Sequence, residues 1–433
     1  MNRLAAPLVL GSMLNPVNSS MLAVALIPIG VAFSASPATT VWLVSSLYVT
    51  TAVGQPVVGR LVDRYGARPL YLAGAALVGA AGLLGVVAQS LPMLVVARVL
   101  IGLGTSAAYP AAMRLLRDRP DEDNRGMLTA LAVAGQVIAV VGPTLGGLLI
   151  GLGGWRTIFG VNVPFSVACL VLGYLRLPRG ERRPTAIDWP GIGLFTVTLV
   201  ALLLFVMDPP LWYLAVVAVA AAAGFAIREL RTEEPFLDLR VLGGNRPLLA
   251  TYLRQGLFYT VAYSFTYGFV QWLEEGRGLS PSAAGLVVLP MSAVAIVTAT
   301  IAGRRPQVRG KLVVSGFVLV AACVAVLFVG ESTAVWVLVA LGVLTGVPQG
   351  LTGLANQTAL YRQADPARMG TSAGLLRTFM YLGAMASSAA VAASFPHGAF
   401  TDGLHRLAVF MLVCAVLLVA VTLVDRSLRK EDG

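Results

Sequence analysis

The groups able to do chemistry in this chain are few, and they sit among long apolar runs. The densest set is Gly59-Arg60-Leu61-Val62-Asp63-Arg64-Tyr65-Gly66-Ala67-Arg68, which places arginines, one aspartate and a glycine pair between two such runs. Glycine allows close backbone approach or positive φ at a helix end. A carboxylate such as Asp63 is favoured near a helix N-terminus and can pair with Arg64 or Arg68. Four apolar runs carry polar residues at helical spacing: Ser12, Asn15, Asn18 and Ser19; Arg98, Gly102, Thr105 and Tyr109; Gln255, Tyr259, Tyr263, Tyr267 and Gln271; and Thr345, Gln349, Thr352 and Asn356. At 100° per residue the three tyrosines cover about 80° of one face. That face offers rings for apolar contact and hydroxyls for hydrogen bonds, as a site for drug-like molecules needs. The same polar groups can also tie helices together, at about 0.6–2 kcal/mol each, and Tyr267 also suits an interfacial aromatic belt.

Arg98, Arg254 and Arg377 lie inside apolar runs, where each would cost roughly 3 kcal/mol at a helix centre. Arg254 and Arg377 stand near a run's end and are expected to snorkel. No Asp or Glu falls in the middle of a run. There is no H-E-x-x-H, G-x-S-x-G or acidic metal cluster, so no catalytic residue, metal or cofactor is expected.

The elements that must position these groups are membrane helices. The 433 residues are 57% hydrophobic and 12% charged, with mean hydropathy +0.82, which excludes an ordinary soluble domain. A spanning helix takes about 20 residues, and the apolar runs number fourteen: approximately 6–32, 41–58, 69–89, 92–113, 127–150, 157–175, 190–207, 211–227, 249–272, 282–302, 312–330, 334–357, 372–394 and 403–424. The formal charge of +11 would suit nucleic acid, but its placement argues for topology. With the N-terminus inside, 25 of the 31 Lys and Arg fall in inner segments, which fixes orientation by the positive-inside rule and assigns the basicity to anionic lipid. Both termini are then cytoplasmic, in a multi-pass cytoplasmic (inner) membrane protein. The longest inner connection, Arg228 to Pro247, carries Glu229, Glu233, Glu234 and Asp238 and reads as a charged surface linker. Cys169, Cys323 and Cys414 lie inside runs and read as apolar packers without disulfides. The first run, interrupted by Asn15, Pro16 and Asn18, reads as a retained helix and not a signal peptide.

Residues 59–68 resemble the loop between helices 2 and 3 of the major facilitator superfamily, G-x-L-x-D-R-x-G-x-[RK]. Arg98-Val99-Leu100-Ile101-Gly102-Leu103-Gly104 is similar to that superfamily's R-x-x-x-G-x-G. Gly142-Pro143-Thr144-Leu145-Gly146-Gly147 is similar to the G-P-x-x-G-G of exporters. Trp155 to Phe159 with Asn162 and Pro164, then Asp188, Gly191 and Leu194, and Ser280-Pro281 with Gly285 and Pro290, resemble the fourteen-spanner drug:proton antiporter (multidrug efflux) branch.

The resemblance implies an all-α integral membrane fold. Residues 1–176 would form an N-terminal six-helix bundle, 177–247 cytoplasmic loops and two extra transmembrane helices, and 248–433 a C-terminal six-helix bundle. A faint repeat fits: Gly303 to Gly310 copies the glycine spacing of Gly59 to Gly66, with Gln307 in place of Asp63. Gly59, Asp63, Arg64, Gly66 and Arg68 would form a conformational latch, and Gly142, Pro143, Gly146 and Gly147 a bend and helix-packing groove. Asn15, Asn18, Arg98, Thr105, Tyr259, Tyr263, Tyr267, Gln349, Thr352 and Asn356 would face substrate. Gly342, Gly346 and Gly350 form a small-residue packing seam.

The branch typically has an Asp in helix 1 followed two positions later by Thr; this chain has Asn18 and Ser20. Asparagine cannot exchange a proton, so coupling by that route is weakened, and a neutral or anionic lipophilic substrate fits better beside Arg98. The expected function is alternating-access export of small lipophilic molecules, with protons as a further partner. The alternatives are an uncoupled facilitator or importer of an organic anion, and a non-transporting receptor or scaffold.

Overall fold

The structure, a computed structural model, describes residues 4–22, 24–35, 37–40, 42–118, 124–179, 187–207, 210–237, 239–279, 281–305, 307–396 and 398–430. It is all-helical, with no strand among the described residues. In chain order the α-helices are α1 (Ala5–Leu22), α2 (Leu26–Phe33), α3 (Pro37–Thr40), α4 (Trp42–Tyr65), α5 (Ala67–Val86), α6 (Leu91–Thr105), α7 (Ala108–Arg117), α8 (Arg125–Gly153), α9 (Arg156–Gly160) and α10 (Asn162–Arg176). They continue with α11 (Trp189–Met207), α12 (Tyr213–Arg231), α13 (Leu239–Gly244), α14 (Arg246–Glu275), α15 (Pro281–Gly303), α16 (Arg309–Val326), α17 (Val335–Gln363), α18 (Met369–Ser394), α19 (Thr401–Val424) and α20 (Ser427–Lys430).

Each apolar run falls on one helix or a consecutive pair, so the fourteen-run reading agrees with the helix order. Among the described residues, nine helical stretches are long and apolar enough to cross a membrane. The pairs mark where a run is broken. The fourth run divides into α6 and α7 at Ser106-Ala107, because Pro110 has no N–H to bond the Ser106 carbonyl four residues earlier. Pro28 has the same effect between α1 and α2. Apolar side chains also line the outside: Leu148, Leu152, Leu175, Phe328 and Val424 are all exposed. Helices apolar on both the packed and the outer face need lipid as solvent.

The helices gather into two compact units. The first takes Met1–Val200, Ala218–Asp238 and Ala364–Thr378, and its core includes Val17, Leu22, Leu43, Leu47, Ile101 and Phe159. The second takes Ala201–Val217, Leu239–Gln363 and Phe379–Gly433, and its core includes Phe258, Phe265, Trp272, Leu319, Leu407 and Met411. The first turns of α18 therefore pack with helices from early in the chain.

Three local readings change. The stretch 59–68 is not a loop along its whole length: α4 continues to Tyr65, α5 begins at Ala67, and Gly66 alone, at φ 90°, makes the turn. Its presumed copy is looser, with α15 ending at Gly303, α16 starting at Arg309, and Gln307 exposed. Glu229 does not lie in a solvated linker; it is fully buried in the last turn of α12.

Candidate functional site

Within the first unit, α4 and the start of α18 meet along small residues. A Cβ on Gly59 would strike the Gly370 carbonyl, and one on Gly374 would strike the Gln55 carbonyl. Thr378 donates its hydroxyl to the Ala52 carbonyl at 2.6 Å. Ala52, Gln55, Gly59 and Asp63 share one face of α4; Gly370, Gly374 and Thr378 recur every fourth residue on α18. The two glycines of 59–68 thus do different work. Gly59 permits this close approach from inside a helix, and Gly66 supplies the positive φ.

Asp63 completes the contact. Its Oδ1 accepts from the Gly370 N–H at 2.8 Å, and its Oδ2 accepts from the Thr371 N–H at 2.8 Å and the Thr371 hydroxyl at 2.7 Å. A carboxylate on the free N–H groups of a helix's first turn is favoured by charge and by hydrogen bonding. The expected helix-end role is present, but on α18 and not on α5. The nearest guanidinium is that of Arg114, whose Nη1 lies 3.9 Å from Oδ1 and donates to the carbonyls of Pro366 (2.8 Å) and Ala367 (3.3 Å). Arg64 lies over the Tyr65 ring, and Arg68 lies over the Tyr174 ring and donates to its carbonyl at 2.8 Å. Arg114, Gly370 and Gly374 were not singled out from sequence; the Gly370-x-x-x-Gly374 spacing was the available signal.

The exporter-like motif packs α8 on α1. A Cβ on Gly142 would strike the Ser20 hydroxyl, and one on Gly146 would come within 3.0 Å of the Met21 carbonyl. Gly147 meets open space; one residue, or 100°, places it off that face, so it does not extend the groove. α8 runs unbroken through the motif. The ring of Pro143 and the side chains of Ser280 and His397 lie outside the described residues.

The polar residues of α1 and α6 form a buried set. Arg98 donates from Nε to the Leu43 carbonyl (2.8 Å) and from Nη1 to the Asn18 carbonyl (3.0 Å), while its Nη2 has no partner among the described residues. Asn18 donates to Asn162 Oδ1 at 2.6 Å and to the Leu14 carbonyl at 2.8 Å. Asn15 donates to Thr105 at 3.2 Å. Asn18, Arg98 and Thr105 are buried, and Asn15 is half-buried. Asn162, at the start of α10, is the partner that polar spacing along single helices could not reveal.

In the second unit the tyrosines of α14 form a ladder. The rings of Tyr259 and Tyr263 are 5.7 Å apart, and those of Tyr263 and Tyr267 stack at 5.6 Å. Tyr259 and Tyr263 are half-buried, and Tyr267 is 41% exposed. On α17, Asn356 is buried and donates to Gln255 at 3.0 Å, and Thr352 shares a hydrogen bond with Ser315. Gln349 and Thr345 face a small, mostly apolar pocket with Phe258, Phe265 and Met291. Gly342, Gly346 and Gly350 pack α17 on α15, as the seam implied.

Two arginine readings change. Arg254 does not snorkel: it is fully buried, pairs with Asp425 at 2.8 Å and donates to Thr251 at 2.6 Å. A buried guanidinium needs acceptors or a counter-charge; here the counter-charge is Asp425, 171 residues away in the chain. Arg377 lies over the Tyr109 ring at 4.2 Å, a cation–π contact and not an excursion to the interface. Cys169, Cys323 and Cys414 are buried and free.

Comparison with known proteins identifies the family. The chain is 32% identical over 428 residues to an uncharacterized MFS-type transporter, YwoD, of Bacillus subtilis, covering 95% of this chain and 94% of the relative. It is 35% identical over 313 residues to the tetracenomycin C resistance and export protein of Streptomyces glaucescens, covering 68% of this chain and 56% of that protein. The crystal structure of the human organic anion transporter MFSD10 (TETRAN) has the same fold, with a TM-score of 0.71 at 17% identity, covering 96% of this chain and 99% of that one. The Major Facilitator Superfamily pattern matches residues 8–388, a stretch that holds both the α4–α18 contact and the polar helices described above. This multi-pass membrane protein belongs to the Major Facilitator Superfamily of transporters.

Proposed function

We propose that this transporter exports small lipophilic molecules, neutral or anionic, across the cytoplasmic membrane by alternating access, with both termini in the cytoplasm. The observation that carries the reading is the Asp63 contact on α18. Three hydrogen bonds to one carboxylate, made where two helices touch through glycine, form a unit that can break and re-form as a whole. We assign Gly59, Asp63, Gly66 and the neighbouring Arg64 and Arg68 to that latch, joined by Arg114. The tyrosine ladder of α14 supplies apolar rings with hydroxyl edges, and Tyr263 is its central member. Asn15, Asn18, Arg98, Thr105, Tyr259, Tyr267, Gln349, Thr352 and Asn356 are the further candidates for substrate contact. The export and resistance functions in the names of relatives support the direction of transport.

A second reading, an uncoupled facilitator or importer of an organic anion, is favoured by Arg98, whose buried Nη2 has no partner among the described residues, and by Asn18 in place of an acid. Proteoliposomes assayed with and without a pH gradient separate the two. Accumulation driven by the gradient supports proton-coupled export, and flux indifferent to it supports the second reading. Ligand binding without any flux would reject transport in favour of a receptor or scaffold.

A further inference from the structure

The buried Glu229 faces a second buried acid at the charged end of the α11–α12 hairpin. Asp188 precedes α11 and is 5% exposed; Glu229 lies in the last turn of α12 and is 0% exposed. Among the described residues, each carboxylate has a hydrogen-bond donor on one oxygen and none on the other. Asp188 Oδ1 accepts from the Gly191 N–H (3.0 Å) and from Arg228, whose Nη2 is 2.7 Å away and whose Nε is 2.8 Å away. Glu229 Oε2 accepts from the Leu237 N–H at 2.9 Å. The other two oxygens, Asp188 Oδ2 and Glu229 Oε1, are buried without a hydrogen-bond partner among the described residues. Both converge on Gly191: a single Cβ built there would press on Oδ2 and stand 2.6 Å from Oε1. From the same two helices and the segment after α12, Phe195 packs on Phe225 and Phe236.

The cations around the two acids are shared with other groups. Arg228, on α12 itself, pairs with Asp188 and also lies within electrostatic reach of Glu229. From α4, the buried Arg60 lies within electrostatic reach of Glu229, but also of Asp63 and Glu234, and Arg368 opposes it. Glu233 and Glu234, on the segment after α12, are exposed acids that add negative charge. The free oxygens of the two buried carboxylates both lie within 2.6 Å of one point; two negative charges there would repel, and a proton held between them removes that repulsion.

We propose that Asp188 Oδ2 and Glu229 Oε1 bind a single proton between them, making the base of the α11–α12 hairpin a protonation site. The site stands apart from Asn18 and from the assignment of substrate residues. Gly191 belongs to the same device, because any side chain there would wedge the two acids apart.

Infrared spectroscopy of the full-length protein in proteoliposomes tests this directly. The wild type is expected to show a protonated carboxyl C=O band at neutral pH that shifts in deuterium oxide and is lost at alkaline pH. E229Q is expected to lose that band, because it removes one of the two carboxyl groups that share the proton. Absence of the band in the wild type, or its persistence in E229Q, would overturn the proposal. A second measurement needs no variant: thermal unfolding of the wild type at alkaline pH in sodium chloride against choline chloride. Equal stability in the two salts is expected for a proton site. A sodium-specific rise would overturn it and assign the two oxygens to a metal cation.

Discussion

Thr371 donates to Asp63 twice, through its backbone N–H at 2.8 Å and its hydroxyl at 2.7 Å, both to Oδ2. The hydroxyl bond orders the side chain and the backbone bond orders the first turn of α18, so the carboxylate senses both. Asp63→Asn keeps the shape but removes the charge, and its amide must turn a donor toward one of these N–H groups. Hydrogen bonds to a charged group are worth about 1.5–3 kcal/mol, so turnover in proteoliposomes should fall by roughly tenfold or more. Substrate binding measured in detergent should change little. Unchanged turnover would remove the latch role.

Small residues make the second prediction. Gly59→Ala and Gly142→Ala each press a methyl group onto a fixed neighbour, the Gly370 carbonyl and the Ser20 side chain respectively. Overpacking of this kind costs about 1–3 kcal/mol, visible as a lower unfolding temperature. Gly147→Ala meets open space and should leave thermal stability unchanged or raise it slightly, through helix propensity.

The buried pair of Arg254 and Asp425 should respond asymmetrically. Removing one partner leaves an uncompensated buried charge and costs about 3–5 kcal/mol. Arg254→Met combined with Asp425→Leu should recover much of that loss. A double-mutant cycle on thermal stability checks it; additive losses would mean that the two residues are not coupled.

For the aromatic ladder, Tyr263→Ala removes the central ring between Tyr259 and Tyr267. Affinity for a lipophilic fluorescent substrate should drop by roughly tenfold, about 1.4 kcal/mol, and Tyr263→Phe should restore most of it. Wild-type affinity in Tyr263→Ala would take the ladder out of the binding site.

What the linear chain fixed was whatever depends on neighbours within one helix. Apolar length marked the membrane helices, because partition into lipid is read residue by residue. The glycines of 59–68 and 342–350 were legible for the same reason: φ freedom and the lack of a side chain are intrinsic properties.

Tertiary structure decided the partners. Nothing in the spacing around Asp63 points to Thr371, 308 residues away, or around Arg254 to Asp425. Glu229 read as a solvated loop acid until the fold buried it against Asp188. A charge inside a low-dielectric interior must find a counter-charge, a donor or a proton, and which of these it meets depends on helix packing that no local pattern encodes.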